Sequence, residues 1–394
     1  MPLRHWLQLA LTDGIGPILS RRIIDRAGGD IELACGGEMK VLREVEGIGA
    51  AKATKIQQSM REAATVVDAE IARASVAGVR IICPDDGDDY PMLLRSIPDP
   101  PVVLYVKGTF EPRDLNALAI VGSRRCTYYG REQAERFGSL LAGVGFTVIS
   151  GGARGVDSAA HRGAMAPAEG RTIAVLGSGV DVAYPPENAG LLEQIAKRGA
   201  VVSEFPLGTP PNKENFPRRN RIVSGMSRGV LIIEADIRSG ALITARQAVE
   251  DHDRPVFAIP GRVDNPQSAG PHKLIREGAV LVETLDDILQ GLNPLPQEAV
   301  EPGLFSSFAQ MLEDAPASQR EPASSEPLPD GLSDRQRSII AEMGTDPATV
   351  DVLIERTALP ANVVLQELTF LSLKGRVKRI DGQTYVRTKA GAQA

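Results

Sequence analysis

NALAIVGSRR, residues 116–125, is a short apolar run that stops on Gly-Ser and then presents two arginines. A Val/Ile/Leu-rich run of this length, closed by turn residues, reads as a strand buried on both faces. The pattern recurs at GFTVISGG (145–152), RTIAVLGSG (171–179), GAVVSEF (199–205), GVLIIEA (229–235), RPVFAIPG (254–261) and GAVLVE (278–283). Helical stretches separate these runs. The alternation predicts an α/β domain over 79–292, with a mostly parallel sheet and helices on both faces.

The flanks read differently. Residues 1–78 look helical and contain an internal echo, TDGIGPILSRRII (12–24) and VEGIGAAKATKI (45–56). Each is a Gly-Ile-Gly turn feeding a helix: either a helix-hairpin-helix element that brings backbone N–H groups to a phosphate, or a turn that only connects packed helices. Residues 293–331 are rich in Pro, Ser, Ala and acid and read as a flexible linker, with LFSSFAQML (304–312) as a short helix inside it. Residues 332–394 outline three helices and two strands around Asp381-Gly382, a winged helix. Its third helix offers Asn362, Gln366 and Glu367 but no base before Lys374. That argues against sequence-specific DNA readout and for docking of a protein, or loose contact through Lys374, Arg376, Lys378 and Arg379.

Bulk properties exclude several classes. A net charge of −6 over 394 residues is not that of a polycation, although it permits a local basic site. Cys35, Cys83 and Cys126 are widely spaced, which fits a reducing cytoplasm without a disulfide framework. No apolar run reaches membrane-spanning length. The histidines His5, His161, His252 and His272 lie far apart, so no metal site is expected. There is no G-x-x-x-x-G-K-[ST] string, and GSGVDV (177–182) lacks the third glycine of a dinucleotide site, so no nucleotide cofactor is expected. Asp157, Ser158 and His161 read as helix capping and a solvated face rather than a catalytic set.

Ligands of an open parallel sheet bind beyond the carboxyl ends of its strands. Those ends carry Gly122-Ser123-Arg124-Arg125, then Ser150-Gly151-Gly152-Ala153-Arg154-Gly155, then Ser239-Gly240 opening a helix with Thr244. Glycines, hydroxyls and helix starts suit an anion. NKENFPRRNR (212–221) adds Lys213, Arg218, Arg219 and Arg221 near Pro217, where a helix is expected to begin. Bases are disfavoured in a first turn, so these arginines point to a phosphate ligand. Their removal is expected not to destabilise the fold.

The chain resembles the DNA-processing protein A (DprA/Smf) family along nearly its whole length, through AIVGSRRCTYYG, VISGGARGVDSAAHRGA, SEFPLGTPPNKENFPRRNRIVSGMS and IEADIRSGALITARQAVEDHDRPVFAIPG. The resemblance implies an extended Rossmann-like core and a non-enzymatic, single-stranded DNA-binding protein of natural transformation. Such a protein protects incoming DNA and loads a RecA-type recombinase, displacing single-strand-binding protein. It also implies a cytoplasmic homodimer; HKLIREGAVLVETLDDIL (272–289) offers an apolar stretch for pairing. DNA contacts implied are Arg124, Lys213, Arg218, Asn220 and Arg221, with Arg219 at the variable position of its segment. Ser123, Gly151, Gly152, Arg154, Ser239 and Gly240 are expected to line the pocket, and Tyr128, Tyr129 and Phe216 either to stack bases or to pack in the core. Two other readings stay open: a lysine-decarboxylase-like phosphoribohydrolase, whose catalytic Glu is missing from IPGRVDNPQS, and a winged-helix regulator sensing a nucleotide.

Overall fold

The protein is described by a computed structural model covering residues 2–293, 334–343, 348–357, 377–379 and 384–387, with Leu359, Val364, Leu368 and Leu371. Two compact units result, Met1–Gln297 and Glu298–Ala394.

The strands of the first unit are β1 (Arg80–Ile82), β2 (Leu104–Gly108), β3 (Ala117–Val121), β4 (Thr147–Ser150), β5 (Arg171–Val175), β6 (Ala200–Ser203), β7 (Val230–Ile232), β8 (Val256–Ala258) and β9 (Val280–Leu281). They form one sheet in the order β1-β2-β6-β5-β4-β3-β7-β8-β9. Neighbours from β6 to β9 are parallel, while β2 joins β6, and β1 joins β2, antiparallel. All seven runs read from the sequence are strands. β1 and β2 are additions to these seven: β1 is short and partly exposed, whereas β2 follows a buried apolar run, residues 103–106, that packs on both faces and that the sequence reading does not mark.

The helices are α1 (Pro2–Ala10), α2 (Pro17–Arg26), α3 (Ile31–Cys35), α4 (Met39–Arg43), α5 (Ala50–Val76), α6 (Met92–Arg95), α7 (Tyr128–Gly143), α8 (Val156–Ala164), α9 (Ala189–Arg198), α10 (Asn215–Gly225), α11 (Ala241–Glu250), α12 (Ala269–Arg276) and α13 (Leu285–Gly291). Successive strand residues sort to opposite faces. Ala119, Val121, Val230 and Ile232 meet Ile222 and Val223 of α10 and Ala245 and Ala248 of α11. Leu118, Ile120, Val148 and Leu231 meet Phe137 and Leu141 of α7 and Val156 and Ala160 of α8. The sheet is therefore covered on both faces, which is why its central strands read as unbroken apolar runs.

Residues 1–78, expected as a domain of their own, have a core of their own around Leu9, Ile23, Leu42, Ile56 and Met60, and in addition Leu7, Val67 and Ala74 pack with Val103, Leu176, Ile195 and Val201 of the sheet layer. The two Gly-Ile-Gly turns have one geometry. Gly14 and Gly47 take φ of 82° and 88°, which disfavours any side chain, and Gly16 and Gly49 are the extended N-caps of α2 and α5.

The second unit holds α14 (Asp334–Met343), α15 (Val350–Thr357) and the strands β10 (Ala348–Thr349), β11 (Val377–Arg379) and β12 (Thr384–Arg387), ordered β10-β12-β11 and antiparallel. Ile339, Ile340, Leu353, Leu368 and Tyr385 form its core. The strands β11 and β12 flank the expected Asp381-Gly382 turn, as in a winged helix. The 294–331 stretch with LFSSFAQML, and Asn362, Gln366, Glu367, Lys374 and Arg376 of the expected third helix, lie outside the described residues.

Candidate nucleic-acid interface

From β3 the chain winds outward through β4, β5 and β6, then returns to place β7 on the other side of β3 and continues to β8 and β9. At such a reversal the loops leaving neighbouring strands run apart and open a crevice. A cleft of about 420 Å3 lies there, lined by Ser123, Arg124 and Arg125 after β3, Gly151 and Ala153 after β4, and Asp236, Arg238, Ser239 and Gly240 after β7. The start of α10 closes one side with Phe216, Pro217, Arg219 and Asn220. The three turns legible in the sequence thus meet NFPRRN in one site.

Each wall has a local cause. The N-terminus of α7 is pinned by the buried carboxylate of Glu234, which accepts hydrogen bonds from the Thr127 amide and hydroxyl, both at 2.7 Å. The Ser123 amide donates to the Glu234 carbonyl at 2.6 Å, which fixes the Gly-Ser-Arg turn on β7. Arg124 is exposed and lies 4.8 Å over the Phe216 ring, and Tyr184 flanks the ring at 5.5 Å. Phe216, half-buried, therefore presents an aromatic wall carrying a cation.

The floor is charged and nearly dry. Arg219 is 5 % exposed and donates from Nη1 to the Val175 carbonyl at 2.6 Å. Burial pulls its pKa down to about 10, and neighbouring Asp157 opposes the shift. Asp157, 6 % exposed, accepts from the Ala153 amide; burial pushes its carboxyl up while Arg219 and Arg124 pull it down. Gly151 is glycine for space: a Cβ there would overlap the Arg219 guanidinium. Gly151→Ala should push Arg219 off Val175 and destabilise the fold by about 1–3 kcal/mol. An unchanged denaturant midpoint would show that the guanidinium yields freely.

Several expectations need correcting. Asp157, Ser158 and His161 do not form a solvated face, because α8 is wedged between α7 and the sheet and all three are buried. His161 bonds Thr172 at 2.7 Å through Nδ1, and burial lowers its pKa to about 3, so it is neutral. The helix expected from Pro217 starts at Asn215, with Pro217 third. Arg218, Arg219 and Arg221 therefore lie beyond the first residues, where the dipole has largely faded.

The arginines also divide. Arg221 is 3 % exposed and clamped between Glu204 at 2.5 Å and Asp99 at 3.3 Å. Burial pushes both carboxyls up and Arg221 pulls them down. The expectation that removing Arg221 leaves stability untouched does not survive this geometry. Arg218 is half exposed, 3.7 Å from Glu204 and stacked over Phe205 at 5.1 Å. Lys213 is exposed, and Arg154 is exposed in an ion pair with Glu187. Gly152 is buried, and neither it nor Lys213, Arg154, Arg218 or Arg221 lines the cleft.

Asp236, Arg238 and Gln267 line the cleft although the sequence reading does not mark them, and Glu234 organises it. Arg238 sits immediately before Ser239-Gly240, and Glu234 is an acid closing an apolar run; both positions are readable signals. Gln267 is not, since it arrives from the far loop after β8. Among the described residues no group of three or more His, Cys, Asp or Glu could hold a metal ion, and no helix is long and apolar enough to cross a membrane.

Comparison with known proteins agrees along the chain. The model of the family "DNA recombination-mediator protein A" matches residues 80–293, and that of the "DprA winged helix domain" matches 321–383. Protein Smf of Escherichia coli (strain K12) is 40% identical over 313 residues, covering 78% of this chain and 77% of its own. Protein Smf of a Synechocystis species is 34% identical over 396 residues, covering 97% and 98%. The X-ray structure of DNA processing protein A from Streptococcus pneumoniae superposes with a TM-score of 0.64 at 33% identity, covering 74% of this chain and 98% of that one.

Proposed function

Given that this chain belongs to the DNA recombination-mediator protein A family, alongside the Smf and DprA proteins, we propose that its cleft and rim bind single-stranded DNA through the phosphates and that it acts as a mediator, not an enzyme. On this reading the protein protects incoming DNA in natural transformation and loads a RecA-type recombinase on it, displacing single-strand-binding protein and working as a cytoplasmic homodimer.

The observation that carries the reading is the convergence of three strand-end turns and the start of α10 on one cleft beside the exposed cations Arg124, Arg125 and Arg238. Arg218 and Lys213 extend that charge along α10 and the segment before it. Arginine forks suit phosphate oxygens, and the Phe216 wall suits an unpaired base. A duplex would keep its bases stacked and out of reach of such a wall. Asp157, Ser158 and His161 are not arranged as a triad, since His161 and Ser158 bond to Thr172 and to the Gly155 carbonyl rather than to one another.

Fluorescence anisotropy with an oligothymidine, the matching duplex and free nucleotides is the direct test. The single strand should bind at least about tenfold more tightly than the duplex, a gap of about 1.4 kcal/mol. Equal affinities, or saturable binding of a free nucleotide with turnover, would overturn the proposal.

A further inference from the structure

Just outside the cleft, two of the most exposed apolar side chains among the described residues lie on adjoining segments. Tyr128, 80% exposed, opens α7; Val263, 94% exposed, tips the loop 260–264 after β8. The two segments are fastened to each other. The Tyr129 hydroxyl donates to the Pro260 carbonyl at 3.1 Å, and Glu234 accepts from both Thr127 at 2.7 Å and Asn265 at 3.3 Å. Through these bonds Glu234 and Tyr129 hold the backbones of the two segments side by side. Neither Tyr128 nor Val263 packs into the core.

We propose that Tyr128, Tyr129 and the 260–264 loop form a second platform for the same strand, taking bases that have left the cleft; this rests on the single-strand reading above. Continuity supports the assignment, because Arg125, three residues before Tyr128, and Gln267, four after Val263, both line the cleft. Charge supports it too. Arg125 and Arg131 are exposed beside the tyrosines, and Arg262 is 83% exposed, bridged to Asp264 at 2.8 Å and able to exchange that partner for a phosphate. A tyrosine ring offers any base a stacking face, whereas its hydroxyl contributes little to stacking.

The platform predicts a length dependence that the cleft alone does not. Oligothymidines of about 5 and about 15 nucleotides bracket the span of a single stacking site. For the full chain, Tyr128→Ala should leave affinity for the short strand within about twofold and weaken the long strand at least about fivefold, as loss of one stacked base requires. Tyr128→Phe should bind both like the parent. Because the ring is exposed, an unchanged melting temperature is expected for both variants. If parent and Tyr128→Ala show the same length dependence, the platform is refuted and the patch belongs to another partner. If the parent binds neither strand, the single-strand reading itself fails and takes the platform with it.

Discussion

Arg221→Ala should destabilise the unit spanning Met1–Gln297 by about 3–5 kcal/mol, the cost of leaving a buried carboxylate without its counter-ion. Glu204, whose side chain is 6 % exposed, would keep only Arg218 at 3.7 Å, and Asp99 would be deprived of its ion pair at 3.3 Å. Replacing the pair together, Arg221→Met with Glu204→Leu, should recover most of that loss, since two apolar groups carry no desolvation penalty. Arg218→Ala, removing a half-exposed partner, should cost under about 1 kcal/mol. Denaturant midpoints at a common slope would report all three. If Arg221→Ala unfolds like the parent, the clamp contributes nothing and α10 is held by its apolar face alone.

Removing the exposed cations should act in the opposite sense, on binding and not on folding. Each single-strand phosphate left without its cation reduces the slope of log affinity against log salt by about 0.7, so Arg124→Ala/Lys213→Ala/Arg218→Ala should flatten it by about 2. All three side chains are exposed, and the stacking of Arg124 on Phe216 at 4.8 Å is worth about 0.5–1 kcal/mol in such a setting. The melting temperature should therefore move little. An affinity and slope equal to the parent's would place the phosphate path elsewhere on the protein.

These two outcomes divide residues that the sequence presents as equals. Arg218 and Arg221 are three positions apart in NFPRRNRIVSG, and a one-dimensional reading assigns both to a phosphate. In the fold, the rotation of α10 turns Arg221 onto Glu204 and Asp99 while Arg218 stays at the surface. Glu204, 17 residues earlier on the loop after β6, and Asp99, on the segment after α6, both lie beyond the span of a helical or strand repeat, so no local pattern announces them. Asp157 and His161 mislead for the same reason: their spacing suits a solvated helix start, and only the packing of α8 between α7 and the sheet buries them.

What the sequence determined by itself was whatever depends on local composition. Seven apolar runs became seven strands: β3 to β8 are buried throughout, which demands largely apolar residues, and β9 is the partly exposed edge, while Gly-Ser-Arg, Ser-Gly-Gly and Ser-Gly mark where three of the strands stop. The place of the cleft was legible too, since the carboxyl ends of parallel strands are where such crevices open. The tertiary structure alone decided the strand order, the antiparallel edge of β1 and β2, and the arrival of Gln267 in the cleft. It also decided which arginines meet solvent and which meet a buried carboxylate. Those outcomes depend on how crossovers route distant segments against one another, and desolvation of a charge is a property of the assembled neighbourhood rather than of the residue.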